Sequence, residues 1–169
     1  MIEKSQLLHS ENETEQLAQS LALKVQEVFS SHQNLSLRIS LEGDLGAGKT
    51  TFTRHLLKAL GHPGKVKSPT YALCEPYEIV FRKLSNHSNL TRLQIHHFDL
   101  YRMNYPEEWI DAGFRDTLSS PGLCLIEWAE KAAGSLPPFD LTIHLQMNPD
   151  QTRQADLISH TNIGQQLLA

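Results

Sequence analysis

The sequence predicts an α/β fold organised around one turn between a strand and a helix. Residues 37–42 alternate apolar and polar side chains, which is typical of a strand. Residues 52–60 place their apolar side chains on one helical face, and Gly61 and Pro63 then end that helix. The glycine-rich segment 43–50 lies between them. A strand, a glycine-rich turn and a helix in this order are the setting in which a phosphate-binding loop (P-loop) functions.

The turn fits the pattern G-x-x-x-x-G-K-[ST]. The residues predicted to bind phosphate are Gly43, Asp44, Leu45, Gly46, Ala47, Gly48, Lys49 and Thr50. Glycine lets the chain curl so that several backbone N–H groups face one anion. Lys49 supplies a charge to the β- and γ-phosphates, and Thr50 offers a hydroxyl to Mg²⁺ at the positive end of the helix. The alternative is a glycine-rich turn that binds nothing.

Length and composition narrow the classes of protein. The chain has 169 residues, and residues 1–169 are predicted to form one domain. With 40% hydrophobic and 20% charged residues, its composition is that of an ordinary soluble globular protein. A net charge of -4 argues against a dominant nucleic-acid surface, so any nucleic-acid role is expected to run through a partner. There is no membrane-length apolar run and no signal core at the start, so a cytoplasmic location is expected.

An amphipathic helix is predicted over residues 7–31, ahead of the first strand. Ser10 and Glu13 have the spacing of a capping box, and apolar residues then recur at helical intervals. Thr14 lies beside the helix start and is a candidate nucleotide ligand. The apolar stripe itself predicts packing against a sheet.

Residues 61–70 follow the P-loop helix and form an irregular loop rich in proline and glycine. In nucleotide-hydrolysing proteins a loop in this place often brings a group to the γ-phosphate and Mg²⁺. Thr70 is the candidate here, and an exposed hydroxyl in a turn is the alternative. Residues 71–81 predict a strand, and residues 82–92 predict a polar hairpin loop.

Two predicted strands end in an acid. Residues 93–99 end at Asp99, and the apolar run 122–127 ends at Glu127. In P-loop proteins an acid in this position lies beside the phosphates and reaches Mg²⁺ directly or through water. A Mg²⁺ site takes one or two carboxylates, so both acids could serve, and solvated strand-end acids are the alternative. Trp128 follows, and by residue type alone it is more simply a side chain that closes the core.

The remaining segments predict supporting structure. A short helix with proline in its first turn is predicted over residues 105–110, a brief helical stretch over 130–133 and a terminal helix over 161–169. Residues 139–147 and 154–158 predict two strands paired as an antiparallel hairpin.

Cysteine and histidine give little sign of a metal site. Cys74 and Cys124 are far apart, match no metal spacing and are predicted to lie in the core. His96 and His97 are adjacent on a predicted strand, so they point to opposite faces and cannot share one ion.

Four segments in order together resemble the TsaE (YjeE) family, the ATPase of bacterial tRNA threonylcarbamoyladenosine biosynthesis. They are residues 43–51, 68–71, 97–102 and 126–128. The resemblance implies a small P-loop ATPase with a mixed central sheet flanked by helices. It also implies that the protein binds ATP, Mg²⁺ and the TsaB–TsaD heterodimer. In this family tRNA is reached through that complex, and the modified base is the adenosine next to the anticodon of ANN-decoding tRNAs.

The resemblance also implies roles for individual residues. Lys49, Thr50 and Thr51 would hold phosphate and Mg²⁺, and Thr70 would lie in a switch-like loop. Asp99 would be the Walker B-type acid, and Glu127 would be a second acid near Mg²⁺. Trp128 would lie beside the nucleotide. No arginine finger is evident, although Arg102 is close to Asp99 in sequence. Slow hydrolysis is therefore expected until a partner supplies the missing group.

Three other functions remain open from the residues. A small-molecule kinase would use the same loop but would need a lid with clustered arginines. A nucleotide-dependent docking module would bind without hydrolysis. A GTPase is less favoured because no N-K-x-D guanine motif is present.

Overall fold

Seven strands form one mixed sheet in a computed structural model that describes residues 1–69, 71–83 and 89–169. The strands are β1 (Glu3–Leu8), β2 (Ser36–Glu42), β3 (Cys74–Arg82), β4 (Leu90–Asp99), β5 (Gly122–Glu127), β6 (Leu141–Met147) and β7 (Arg153–Ser159). Their order across the sheet is β1-β7-β6-β2-β5-β4-β3. The neighbours β6, β2, β5 and β4 run parallel, and the outer pairs are antiparallel. The expected α/β fold with a mixed sheet is confirmed.

Helices cover both faces of this sheet. They are α1 (Glu11–Ser31), α2 (Lys49–Leu60), α3 (Glu108–Asp111), α4 (Arg115–Ser119) and α5 (Asn162–Leu168), with a short 3-10 helix at Ala129–Ala132. Alternate residues of β5 enter different cores: Leu125 packs with α1 and α2, whereas Ile126 packs with the α3 side. This two-sided burial explains the unbroken apolar run of β5.

The register of the central strands brings the expected site together. Leu41 near the end of β2 pairs with Glu127 at the end of β5, and Asp99 at the end of β4 pairs with Glu127 from the other side. Because the three strands are parallel, their carboxyl ends meet at one sheet edge, where the loop from β2 to α2 also starts.

The prediction of helix from residue 7 is wrong at its start. Residues Glu3–Leu8 form β1, which pairs with β7, and α1 begins only at Glu11. Ser10 caps α1 and accepts the Glu13 N–H at 3.3 Å, as expected. The Glu13 carboxylate, however, accepts the N–H of His9 and not that of Ser10. Local spacing predicted the cap, but the strand depends on a partner about 150 residues away.

Other boundaries differ by a few residues. Strand β3 starts at Cys74 and not at residue 71, and the β3–β4 ladder extends to Arg82 opposite Leu90, which shortens the expected hairpin loop. Residues 84–88 of that loop lie outside the described residues. The predicted helical stretch near 130 is a 3-10 turn. The late antiparallel hairpin is confirmed as β6 and β7. Among the described residues, no helix has the length and apolar character needed to cross a bilayer.

Candidate functional site

The glycine-rich turn connects β2 to α2 at the sheet edge where the strand-end acids lie. Gly43 has φ +141°, and a side chain there would overlap the carbonyl oxygen of Leu145, so this position requires glycine. Gly48 has φ +107° and caps α2. As the N-cap residue, Gly48 has no side chain that could accept the first N–H groups of α2, and the positive end of the helix is directed at the loop.

Lys49 is buried inside this turn. Its ammonium donates hydrogen bonds to the carbonyl oxygens of Gly43 and Asp44, the latter at 3.1 Å. It also lies 4.3 Å from the centroid of the Trp128 ring, within cation–π range. The partners of the amine are two neutral carbonyl oxygens and an aromatic ring, and an anion bound in the loop could compete with them.

Thr50 at the start of α2 and Glu127 at the end of β5 bring a hydroxyl and a carboxylate together beside the loop. The Thr50 hydroxyl donates to Oε1 of Glu127 at 3.3 Å, and the carboxylate is only 1% exposed. Hydroxyl and carboxylate oxygens are the hard donors that Mg²⁺ prefers, and Mg²⁺ keeps several waters, so two protein donors suffice. The described residues contain no cluster of three or more His, Cys, Asp or Glu with metal-site geometry.

Asp99 contacts the loop after α2. Its Oδ2 accepts the Ser68 hydroxyl at 3.0 Å, and its Oδ1 accepts the Tyr101 N–H at 3.0 Å. The acid therefore connects the end of β4 to the loop that leads to Thr70. Thr70 itself lies outside the described residues. Ser68 was not among the predicted site residues, although its hydroxyl stands two positions before Thr70.

A small pocket lies beside the glycine-rich turn, between the start of α1, the start of α2 and strands β6 and β7. It is lined by Glu11, Thr14, Gly48, Thr51, Leu145 and Arg153. The structure thus brings together Thr14 and Thr51, which are distant in sequence. Thr14 is buried, and its hydroxyl donates to the carbonyl of Ser10 at 3.5 Å.

Arg153, the first residue of β7, is the basic side chain at this turn that sequence reasoning missed. Its Nε donates to the carbonyl oxygen of Ala47 at 3.0 Å and lies against Gly48. Arg153 reaches the turn because β7 pairs with β6. No sequence pattern near Arg153 indicates this contact. Arg102, the residue noted near Asp99, instead lies 5.1 Å over the Tyr71 ring.

Trp128 adopts an uncommon backbone conformation for a large residue, with φ +58°. Its ring contacts that of Tyr101 at 4.9 Å between centroids and is only partly buried. The ring therefore lies at the rim of the site, beside Lys49, and does not fill the core interior.

The cysteines are buried, as predicted, and both are free thiols. Burial raises the pKa of both Cys74 and Cys124 to about 12, so neither is a reactive thiolate near neutral pH. His97 is fully buried while His96 is half-buried, in keeping with opposite faces of β4.

Comparisons with known proteins agree with one another. The family model described as threonylcarbamoyl adenosine biosynthesis protein TsaE matches residues 8–155. A Haemophilus influenzae protein named tRNA threonylcarbamoyladenosine biosynthesis protein TsaE is 42% identical over 138 residues, covering 82% of this chain and 80% of that protein. A Bacillus subtilis protein of the same name is 36% identical, and the match covers 75% of this chain and 70% of that protein. The crystal structure of YdiB from Bacillus subtilis has the same fold, with a TM-score of 0.68 at 24% identity, covering 99% of this chain and 92% of that chain.

Proposed function

The chain belongs to the TsaE family, and from that membership we propose that it is a Mg²⁺-dependent ATPase supporting threonylcarbamoyl modification of tRNA. The whole chain acts as one P-loop ATPase domain in the cytoplasm, where tRNA is modified. The observation that carries the proposal is the Thr50–Glu127 contact at 3.3 Å beside the buried Lys49. A Gly-rich turn that bound nothing would not require these three groups at one point.

The chemistry proposed for the site is phosphoryl transfer to water. The loop N–H groups and Lys49 bind the β- and γ-phosphates, with Lys49 exchanging its carbonyl partners for phosphate oxygens. Thr50 and Glu127 would hold Mg²⁺, which when bound offsets negative charge on the phosphates. Asp99, oriented by Ser68 and the Tyr101 N–H, is the candidate that orients the attacking water.

Hydrolysis by the chain alone is proposed to be slow. Arg153 donates to a backbone carbonyl and Arg102 lies over Tyr71, so each already has another contact. We therefore propose that docking of the TsaB–TsaD heterodimer completes the site, and that tRNA is reached through that complex, as the net charge of -4 favours.

The test of the site is phosphate release by Lys49→Ala. We expect turnover to fall by roughly 100-fold or more, because the residue's charge on the transferring phosphoryl is lost. Lys58→Ala is the matched control, since Lys58 is an exposed lysine on the same helix, 3.8 Å from Glu15. Unchanged turnover in Lys49→Ala would refute the role of the loop.

The partner is tested separately, by turnover with and without TsaB–TsaD and by pull-down in ADP, ATP and a non-hydrolysable analogue. Stimulation and nucleotide-dependent capture are expected. Binding without phosphate release would indicate a docking module, and a phosphorylated acceptor detected by mass spectrometry would indicate a kinase. Tighter binding of GTP than of ATP would indicate a GTPase.

A further inference from the structure

A buried histidine stands behind the candidate metal ligand. His97 lies on β4, the strand next to β5, and its side chain is 0% exposed. Its Nε2 is 3.3 Å from Oε2 of Glu127, while Oε1 of the same carboxylate accepts the Thr50 hydroxyl. The two oxygens of Glu127 therefore face two different elements.

This histidine is costly to bury. Within the described residues, neither ring nitrogen of His97 has a hydrogen bond of good geometry, although both are buried. Leaving such groups unsatisfied costs their desolvation free energy, and an apolar side chain of similar size would avoid that cost. Leu93 and Ile95, which share the face of β4 with His97, are apolar and buried, so packing on this face does not require a polar residue. The polar group that His97 faces is the Glu127 carboxylate, with Nε2 3.3 Å from Oε2.

We propose that His97 is a positioning residue that fixes the Glu127 carboxylate for Mg²⁺. By facing Oε2, the imidazole leaves Oε1 directed at Thr50, so that both oxygen donors point to one place before a cation arrives. Ligating carboxylates commonly have such an outer partner, and its loss costs about 10- to 100-fold in metal affinity. The inference rests on the proposed function, because it takes Glu127 as a Mg²⁺ ligand.

The experiment measures how Mg²⁺ changes the affinity for a non-hydrolysable ATP analogue, by calorimetry in MgCl₂ and in EDTA. In His97→Leu, the Mg²⁺ concentration giving half of the affinity gain should rise about 10- to 100-fold. Affinity in EDTA should stay at the wild-type value, a split that general damage to the fold would not produce. Thermal unfolding without metal checks that the variant is folded.

If His97→Leu does not fold, two conservative variants test the positioning role of His97 instead. His97→Gln carries an amide nitrogen at about the place of Nε2 and should restore most of the Mg²⁺ effect. His97→Asn carries it at about the place of Nδ1 and should not. In a Glu127→Gln background, His97→Leu should add no further loss, because the two residues act as one unit.

The outcomes separate the two proposals. If the wild-type protein shows no Mg²⁺ effect on nucleotide affinity, the proposed function fails and the role of His97 fails with it. If the wild type shows the effect and a folded His97→Leu needs no more Mg²⁺ than wild type, only the positioning role is overturned. Equal behaviour of the Gln and Asn variants would also overturn it.

Discussion

Glu127 joins three elements through one buried carboxylate. One oxygen faces Thr50 at the start of α2, and the other faces His97 on β4. Because the carboxylate is almost fully buried, it can interact strongly only with groups already in place around it. At the scale of single residues, the site therefore depends on atoms that the fold aligns before any ligand binds.

The Thr50 hydroxyl should be needed for Mg²⁺-dependent turnover. Thr50→Val keeps the shape and removes the oxygen, so phosphate release should fall by roughly 100-fold, whereas Thr50→Ser should keep most of it. The measurement is phosphate release over a Mg²⁺ titration. Thr53→Val is the matched control on the same helix, because the Thr53 hydroxyl is buried with no hydrogen-bond partner among the described residues. Equal activity of Thr50→Val and wild type would contradict the assignment.

The two buried thiols should make the fold sensitive to alkali. Burial raises their pKa from 9.0 to about 12, so the unfolded chain releases these protons first as pH rises. Stability from this source is complete below pH 9 and is lost as pH rises toward 12, by at most about 1.4 kcal/mol per pH unit for each thiol. Urea unfolding of wild type and Cys124→Ala between pH 8 and about 10.5 checks this. The variant should show the shallower pH slope, and parallel slopes would contradict the prediction.

Local motifs explain which site residues the sequence could predict. Lys49 and Thr50 belong to one contiguous pattern with its own geometry, and Glu127 ends a run whose burial is evident from composition. Ser68 and Arg153 were missed because each acquires its contact only through tertiary structure. The binding and catalytic roles of all these residues stay predictions until ligands are tested.

Elements buried on both faces were the easiest to predict. Strand β5 has the bounds predicted from its apolar run, residues 122–127. Strand β1 was missed because most of its residues are exposed, so they carry no apolar alternation, and its stability comes from pairing with β7. Sequence periodicity reports burial, and an edge strand with little burial gives little signal.

Helix α5 offers a test at the scale of an element. Gly164 is buried in its first turn, where the Thr161 hydroxyl accepts the Gly164 N–H at 3.1 Å and donates to Asp140 at 2.8 Å. A Cβ at Gly164 would overlap the Asp140 carbonyl oxygen. Gly164→Ala should therefore lower the unfolding free energy by about 1–3 kcal/mol, although Gly→Ala in an open helix raises it.

Urea unfolding followed by circular dichroism measures the effect of Gly164→Ala. The exposed Gln166→Ala in the same helix is the control and should change stability by less than about 0.5 kcal/mol. A stabilised Gly164→Ala would mean that α5 does not pack against Asp140 in this way.

The order of the strands across the sheet could not be predicted from local sequence patterns. The order β1-β7-β6-β2-β5-β4-β3 places the two ends of the sequence at one side of the sheet and the β3–β4 hairpin at the other. Each central strand was predicted on its own, but no residue pattern states which strand lies beside which. The acids at the ends of β4 and β5 nevertheless meet, because parallel neighbours share an edge.

Nucleotide binding should stabilise the whole fold. A ligand at 100 times its Kd adds about 2.7 kcal/mol to the unfolding free energy, which for a protein of this size raises Tm by roughly 5–10 °C. We expect this with the ATP analogue plus Mg²⁺, a smaller rise in EDTA, and none in Lys49→Ala. Thermal unfolding by circular dichroism measures it. An identical rise in Lys49→Ala would show that the nucleotide binds elsewhere.

The cation–π pair of Lys49 and Trp128 gives the molecule an optical reporter of its own. The Lys49 ammonium lies 4.3 Å from the Trp128 ring centroid, so we expect a phosphate that displaces the amine to change the fluorescence of this ring. Trp109, the other tryptophan, is buried and donates its indole N–H to Ser135 at 2.8 Å, so it supplies a steady background. Intrinsic fluorescence should therefore report whether a nucleotide occupies the loop, without an attached dye.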